Sequence, residues 1–88
     1  MDGDGAAASP LRAVVETVVR ALVDKPDSVR VNETERRGMT VLELTTAPND
    51  MGKIIGRQGR TAAALRTLAT TAGEREGKQV TLEIRETR

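Results

Sequence analysis

Nine consecutive residues, Gly52-Lys53-Ile54-Ile55-Gly56-Arg57-Gln58-Gly59-Arg60, carry the pattern in this chain most suited to chemistry. Gly56 and Gly59 bracket two polar residues, a spacing that marks a tight turn where a second backbone can come close. Lys53, Arg57 and Arg60 surround the turn with positive charge, and from Met51 to Gly73 the only other charged residue is Arg66. A turn that opens into the first N–H groups of a helix is a physical recipe for holding a phosphate. Arg57 offers paired donors to phosphate oxygens, and Gln58 offers hydrogen bonds to sugar or phosphate. Lys53 and Arg60 add electrostatic attraction. Ile54 and Ile55 are adjacent and β-branched, so at least one of them is expected in the core.

The chemistry so described is recognition of an anionic backbone. Catalysis by this chain is not expected, because it has no His, Cys or Tyr. Its serines, Ser9 and Ser28, read as a helix cap and a turn. Glu74, Glu76, Glu83 and Glu86 fall on a loop, an outer strand face and a tail, with nothing apolar enclosing them to fit them for acid–base catalysis. Without His or Cys there is no zinc or other transition-metal site, and no cofactor is expected. Neither G-x-x-x-x-G-K-[ST] nor G-x-G-x-x-G occurs, so the known nucleotide-phosphate loops do not apply. The absence of Phe, Tyr and Trp excludes readers that stack bases on an aromatic platform.

The 88 residues make one domain with a modest core of Val, Leu, Ile, Ala and Met. A net charge of +1 does not by itself announce a polyanion partner, so local charge carries the argument. No apolar run is long enough for a membrane span and no signal pattern opens the chain, so an intracellular, cytoplasmic protein is expected. Residues 1–8 read as a flexible acidic tail, and residues 9–88 as the domain.

The elements that must position the turn follow in order. Ser9 and Pro10 open a helix as cap and first residue. Its core stripe is Leu11, Val14, Val15, Val18 and Leu22, widened by Val19 and Val23. Ser28 to Thr34 alternates as a half-buried strand, Glu35 to Gly38 is a turn with Gly38 at positive φ, and Met39 to Thr46 is a second strand. The two strands are expected to pair as an antiparallel hairpin, with Leu42 and Leu44 inward and Val41, Glu43 and Thr45 exposed on the outer face. Asn49 or Asp50 is expected to cap a short helix running through Ile55. After the glycine turn a helix from about Arg60 to Glu74 buries Ala62, Leu65, Leu68, Ala69 and Ala72. Gly73 to Gly77 reads as the exit loop, and Gln79 to Arg85 as a last strand with Val80, Leu82 and Ile84 inward. The order α-β-β-α-α-β fits an α+β domain in which a three-stranded sheet is covered on one face by three helices.

Ile55-Gly56-Arg57-Gln58-Gly59, the apolar helix after it and this order of elements resemble the KH domain, an RNA-binding module with an Ile-Gly-x-x-Gly loop between two helices. The resemblance is to the bacterial type II arrangement, which implies a mixed sheet. It also implies that the loop clamps about four nucleotides of single-stranded RNA. Carried over residue by residue, Gly56, Arg57, Gln58 and Gly59 form the clamp, and Lys53, Ile54, Ile55 and Arg60 surround it. From Pro10 to Arg85, including Val18-Val19-Arg20-Ala21-Leu22-Val23-Asp24-Lys25-Pro26, the chain is similar to KhpA-type proteins, small stand-alone bacterial KH proteins. That likeness implies self-association into a homodimer, or pairing with a larger Jag/KhpB-type KH protein, in RNA-level control of cell elongation and division.

A second site is expected on the long helix. Ala63, Ala64, Thr67, Thr70 and Thr71 are small residues beyond the core stripe, and small residues let another helix approach closely. Two readings therefore stand: an RNA-binding regulator acting through the glycine turn, and an adaptor docking through this helix with weak nucleic-acid affinity.

Overall fold

The computed structural model describes residues 10–86. The tail read over residues 1–8, the cap at Ser9 and the last two residues lie outside them.

Helix α1 (Pro10–Leu22) buries Leu11, Val15 and Val19, a single i, i+4 row. Val14 and Leu22 were expected in the stripe, but both are exposed, and Val18 is half-buried. These three form a second row beside the first, turned toward the third helix rather than the sheet. Arg20 and Glu16 pair along the solvent side at 3.7 Å.

Strands β1 (Arg30–Arg36) and β2 (Met39–Thr45) pair antiparallel, from Arg30 opposite Thr45 to Arg36 opposite Met39. The turn is tighter than the expected Glu35–Gly38. Pairing continues through Arg36, and only Arg37 (φ 52°) and Gly38 (φ 81°) turn the chain. Two successive left-handed residues match the twist of the flanking strands. Strand β3 (Gln79–Ile84) lies beside β2 and runs parallel to it, Met39 opposite Gln79 and Leu44 opposite Ile84. The sheet order is β1-β2-β3, so β2 is central and the sheet is mixed.

Helices α1, α2 (Met51–Ile55) and α3 (Arg60–Arg75) cover one face of the sheet. The rows Val31-Leu44-Ile84 and Leu42-Leu82 meet Leu11, Val15 and Val19 of α1, Ile54 of α2, and Leu65 and Ala69 of α3. This is a type II KH arrangement. On the opposite face Val41, expected to be exposed, is only 5% accessible. Its position on the central strand explains the difference, because Thr34 and Thr81 flank it and Met39 precedes it on the same face. The Thr81 hydroxyl donates to Met39 Sδ at 3.0 Å and closes that corner.

Gly73 lies inside the last turns of α3 and is buried, not in the exit loop. A Cβ there would lie 2.3 Å from Val80 Cγ2, so this glycine lets α3 approach β3. Among the described residues, no helix is long and apolar enough to cross a membrane.

Candidate nucleic-acid interface

A 3₁₀ turn over Pro48–Asp50 delivers the chain into α2. Neither Asn49 nor Asp50 caps that helix through its side chain. Asp50 instead reaches across the fold and accepts the backbone N–H groups of Asp24 at 3.2 Å and Lys25 at 3.0 Å. It is 1% accessible, and these two bonds satisfy a carboxylate that burial would otherwise penalise. Lys53, one turn further along α2, places Nζ 3.2 Å from Asp24 Oδ2 and 4.0 Å from Asp50 Oδ1. A buried carboxylate and an ion pair thus tie α2 to the segment following α1. Sequence reasoning missed this tie because its partners are 25 and 26 residues apart, beyond any local signal.

The Gly56 N–H donates to Gly52 O at 2.9 Å and completes the only full turn of α2. Gly56 then adopts φ 75°, ψ 172°, a region essentially confined to glycine. Its missing Cβ is also required by packing, since that atom would lie 2.2 Å from Thr61 Oγ1 and 2.9 Å from Thr61 N. The second glycine differs. Gly59 is left-handed (φ 74°, ψ 12°), and a Cβ there would meet nothing within 4 Å. Gln58 is left-handed as well, at φ 58°. The loop is therefore packed shut at Gly56 and open at Gly59.

One donor of the expected helix N-terminus is taken up by the loop itself. A 3₁₀ turn over Arg57–Gly59 precedes α3, with the Gly59 N–H donating to Gly56 O at 3.1 Å and the Arg60 N–H donating to Arg57 O. The Arg60 N–H at the start of α3 is thereby engaged. Within the loop, the N–H groups outside the turn's own bonds are those of Arg57 and Gln58. The Arg57 side chain is exposed and has no ion-pair partner among the described residues. Arg60 Nη2 donates to Gln58 Oε1 at 3.0 Å, which leaves the Gln58 amide to donate outward.

Ile54 and Ile55 separate cleanly. Ile54 is fully buried in the core, and Ile55 is 39% accessible beside the loop. Ile55, Arg57, Gln58 and Arg60 are thus exposed and Gly59 is half-buried, Lys53 is exposed but already paired, and Arg60 also lines the groove between α1 and α3.

Ala63, Ala64, Thr67, Thr70 and Thr71 are all exposed, but they do not share one face. Ala64 lines a shallow apolar groove with Thr61 and Leu68 against Val18 and Leu22 of α1. At 100° per residue Ala63 and Thr70 fall on the flank turned away from α1, and Thr67 and Thr71 project outward between the two.

A family model described as KhpA/KhpB, KH domain, matches residues 12–84. The chain is 51% identical over 71 residues to the RNA-binding protein KhpA of Caldanaerobacter subterraneus subsp. tengcongensis, covering 81% of this chain and 95% of the relative. It is 49% identical over 78 residues to the RNA-binding protein KhpA of Aquifex aeolicus, covering 89% and 99%. Among solved structures it is similar to Era in complex with MgGDPNP and nucleotides 1506–1542 of 16S ribosomal RNA, at TM-score 0.56 and 26% identity, covering 88% of this chain and 31% of that one. It is also similar to a variant of Aquifex aeolicus Era bound to GDP.AlF4-, at TM-score 0.54 and 24% identity, covering 90% and 32%. The chain spans about a third of the solved chains it matches.

Proposed function

Since this chain belongs to the KhpA/KhpB family of KH domains, we propose that it binds single-stranded RNA by clamping the sugar-phosphate backbone on the Gly56–Gly59 loop. The observation that carries the reading is the loop's asymmetry. It is closed against Thr61 at Gly56, yet at Gly59 it has open space beside Arg57, which has no ion-pair partner among the described residues. A strand lying across the open side meets the N–H groups of Arg57 and Gln58, the Arg57 guanidinium and the Gln58 amide. Bases then rest on apolar surface such as Ile55 and on the Ala63–Thr70 flank of α3. With no aromatic residue to stack on, affinity is modest and sequence preference loose. The curated relatives are named as RNA-binding proteins, in keeping with a binding module rather than an enzyme. Post-transcriptional control or RNA chaperoning in the cytoplasm, linked to cell elongation and division, is the role that accompanies this reading.

The test is fluorescence anisotropy with a labelled mixed-sequence single-stranded RNA, its DNA counterpart and a duplex, over a range of salt. Gly59→Asp is the informative loop variant, because aspartate tolerates the left-handed region and its Cβ meets no neighbour. Salt-sensitive single-strand binding that falls at least tenfold in Gly59→Asp and in Arg57→Asp, with helical circular dichroism intact, is the expected result. Unchanged affinity in both variants refutes the clamp.

A second reading has its own observation, the apolar row of exposed Val14, half-buried Val18 and exposed Leu22, of which Val18 and Leu22 lie beside Ala64 and Leu68 and Val14 beside Ala72. We propose that this α1–α3 face supports protein contact, as a homodimer or with a larger Jag/KhpB-type KH protein. Linking two weak loops raises overall RNA affinity through effective concentration. Sedimentation of the wild type beside Ala64→Glu checks it, with a monomeric wild type that also ignores the partner as the refuting outcome.

A further inference from the structure

We propose that Asp24 sets the RNA affinity of this loop by competing with phosphate for Lys53; the inference rests on the clamp reading above. Lys53 sits on α2 three residues before Gly56, so its backbone lies within one helical turn of the glycine loop. In the free protein its ammonium is paired, with Asp24 Oδ2 at 3.2 Å and the buried Asp50 Oδ1 further off at 4.0 Å. The two carboxylates differ in kind. Asp50 is held in place by the backbone N–H groups of Asp24 and Lys25 and cannot leave. The Asp24 side chain is 75% exposed, and its contact with Lys53 is made across water-accessible surface. Lys53 is itself 46% exposed, on a flexible stem that can swing toward the loop.

An arriving phosphate therefore meets Lys53 as an occupied cation, whereas Arg57 has no ion-pair partner among the described residues. To recruit Lys53 it must displace the Asp24 carboxylate, whereas Asp50 keeps the backbone anchored throughout. An exposed pair of this type is weak enough to exchange for a phosphate and strong enough to shift affinity by about two- to fivefold. The device moderates binding without touching the loop.

The experiment is an RNA titration of wild type, Asp24→Asn, Asp27→Asn, Lys53→Met and the Asp24→Asn/Lys53→Met double variant, across salt. Asp24→Asn is expected to bind about two- to fivefold tighter and to steepen the slope of log affinity against log salt by about 0.7, the increment of one additional phosphate contact on a single strand. Asp27→Asn makes the same charge change on an exposed side chain outside this cluster and is expected to stay within about twofold. In the Lys53→Met background the gain from Asp24→Asn is expected to vanish. Asp24→Asn without tighter binding, or with an equal gain when Lys53 is absent, overturns the proposal. If wild type binds and depends on Arg57 while Asp24→Asn shows no gain, only the competition fails. Absence of any single-strand binding by wild type overturns both the competition and the clamp.

Discussion

Replacing Gly56 by alanine should damage the fold more than the same change at Gly59, although both glycines belong to one four-residue loop. At Gly56 two costs combine. The backbone at φ 75°, ψ 172° is sparsely populated by residues with a side chain, which costs about 1–3 kcal/mol. The new methyl also falls 2.2 Å from Thr61 Oγ1, 2.6 Å from Thr61 Cβ and 2.9 Å from Thr61 N, so the first turn of α3 must shift. Overpacking of this kind adds about 1–3 kcal/mol. At Gly59 the left-handed backbone costs about 1–2 kcal/mol and packing adds nothing. The expected ordering is a loss of about 2–6 kcal/mol for Gly56→Ala against about 1–2 kcal/mol for Gly59→Ala. For 88 residues the usual per-residue stability amounts to about 4–13 kcal/mol, so Gly56→Ala should leave the domain marginal. Urea unfolding followed by far-ultraviolet circular dichroism is the assay, since there is no aromatic residue to report by fluorescence. Thr61→Gly should recover part of the Gly56→Ala loss by removing the two contacts to the Thr61 side chain, while that to Thr61 N remains. Equal stability of the two alanine variants, or a larger loss at Gly59, would refute the assignment of Gly56 as the packed end of the loop.

Ile54→Ala should cost about 2–5 kcal/mol because its side chain is fully buried, whereas Ile55→Ala should cost under about 1 kcal/mol, as read by urea midpoints. Asp50→Ala should cost about 2–4 kcal/mol by stranding the Asp24 and Lys25 N–H groups, and thermal melts of this variant against Asp24→Asn will show whether the buried carboxylate, not the surface pair, carries the stability. Arg57→Gln should weaken single-strand RNA binding and reduce the salt slope by about 0.7, with no change in melting temperature. Gly73→Ala should destabilise α3 despite alanine's better helix propensity, and Val80→Ala in the same chain should relieve it, because the added methyl meets Val80 Cγ2 at 2.3 Å.

The fold was legible where local pattern and tertiary demand agree. The alternation of β1 and β2, the positive φ of Gly38 and the succession of short helix, glycine turn and long helix around Gly56 all follow from local rules, and the structure has them. What the sequence could not show depended on neighbours brought from afar. Val14 and Leu22 carry the same periodicity as Leu11 and Val15, and only the placement of α3 decides which row faces the sheet. Val41 looked solvent-exposed because its alternation is that of an outer face, but a central strand shelters such a residue. The loop's residue types were readable, whereas its division into a packed glycine and an open one rests on Thr61. The pairing of Lys53 rests on Asp24 in the same way, and neither partner carries a signal in its own vicinity.

The parallel alignment of β3 with β2 gives the chain an order of assembly. The β1–β2 hairpin closes over a two-residue turn, an event of about microseconds that needs nothing downstream. The pairing of Met39 with Gln79 must instead close a loop containing α2, the glycine turn and α3, so it is the slow, entropically costly step. Helix α3 takes its seat on β3 through Gly73 and Val80, and Thr61, the residue that fixes Gly56, lies on that same helix. A nascent chain halted before Gln79 would thus already contain every residue of the glycine motif and still lack the strand that holds the motif's helix in register.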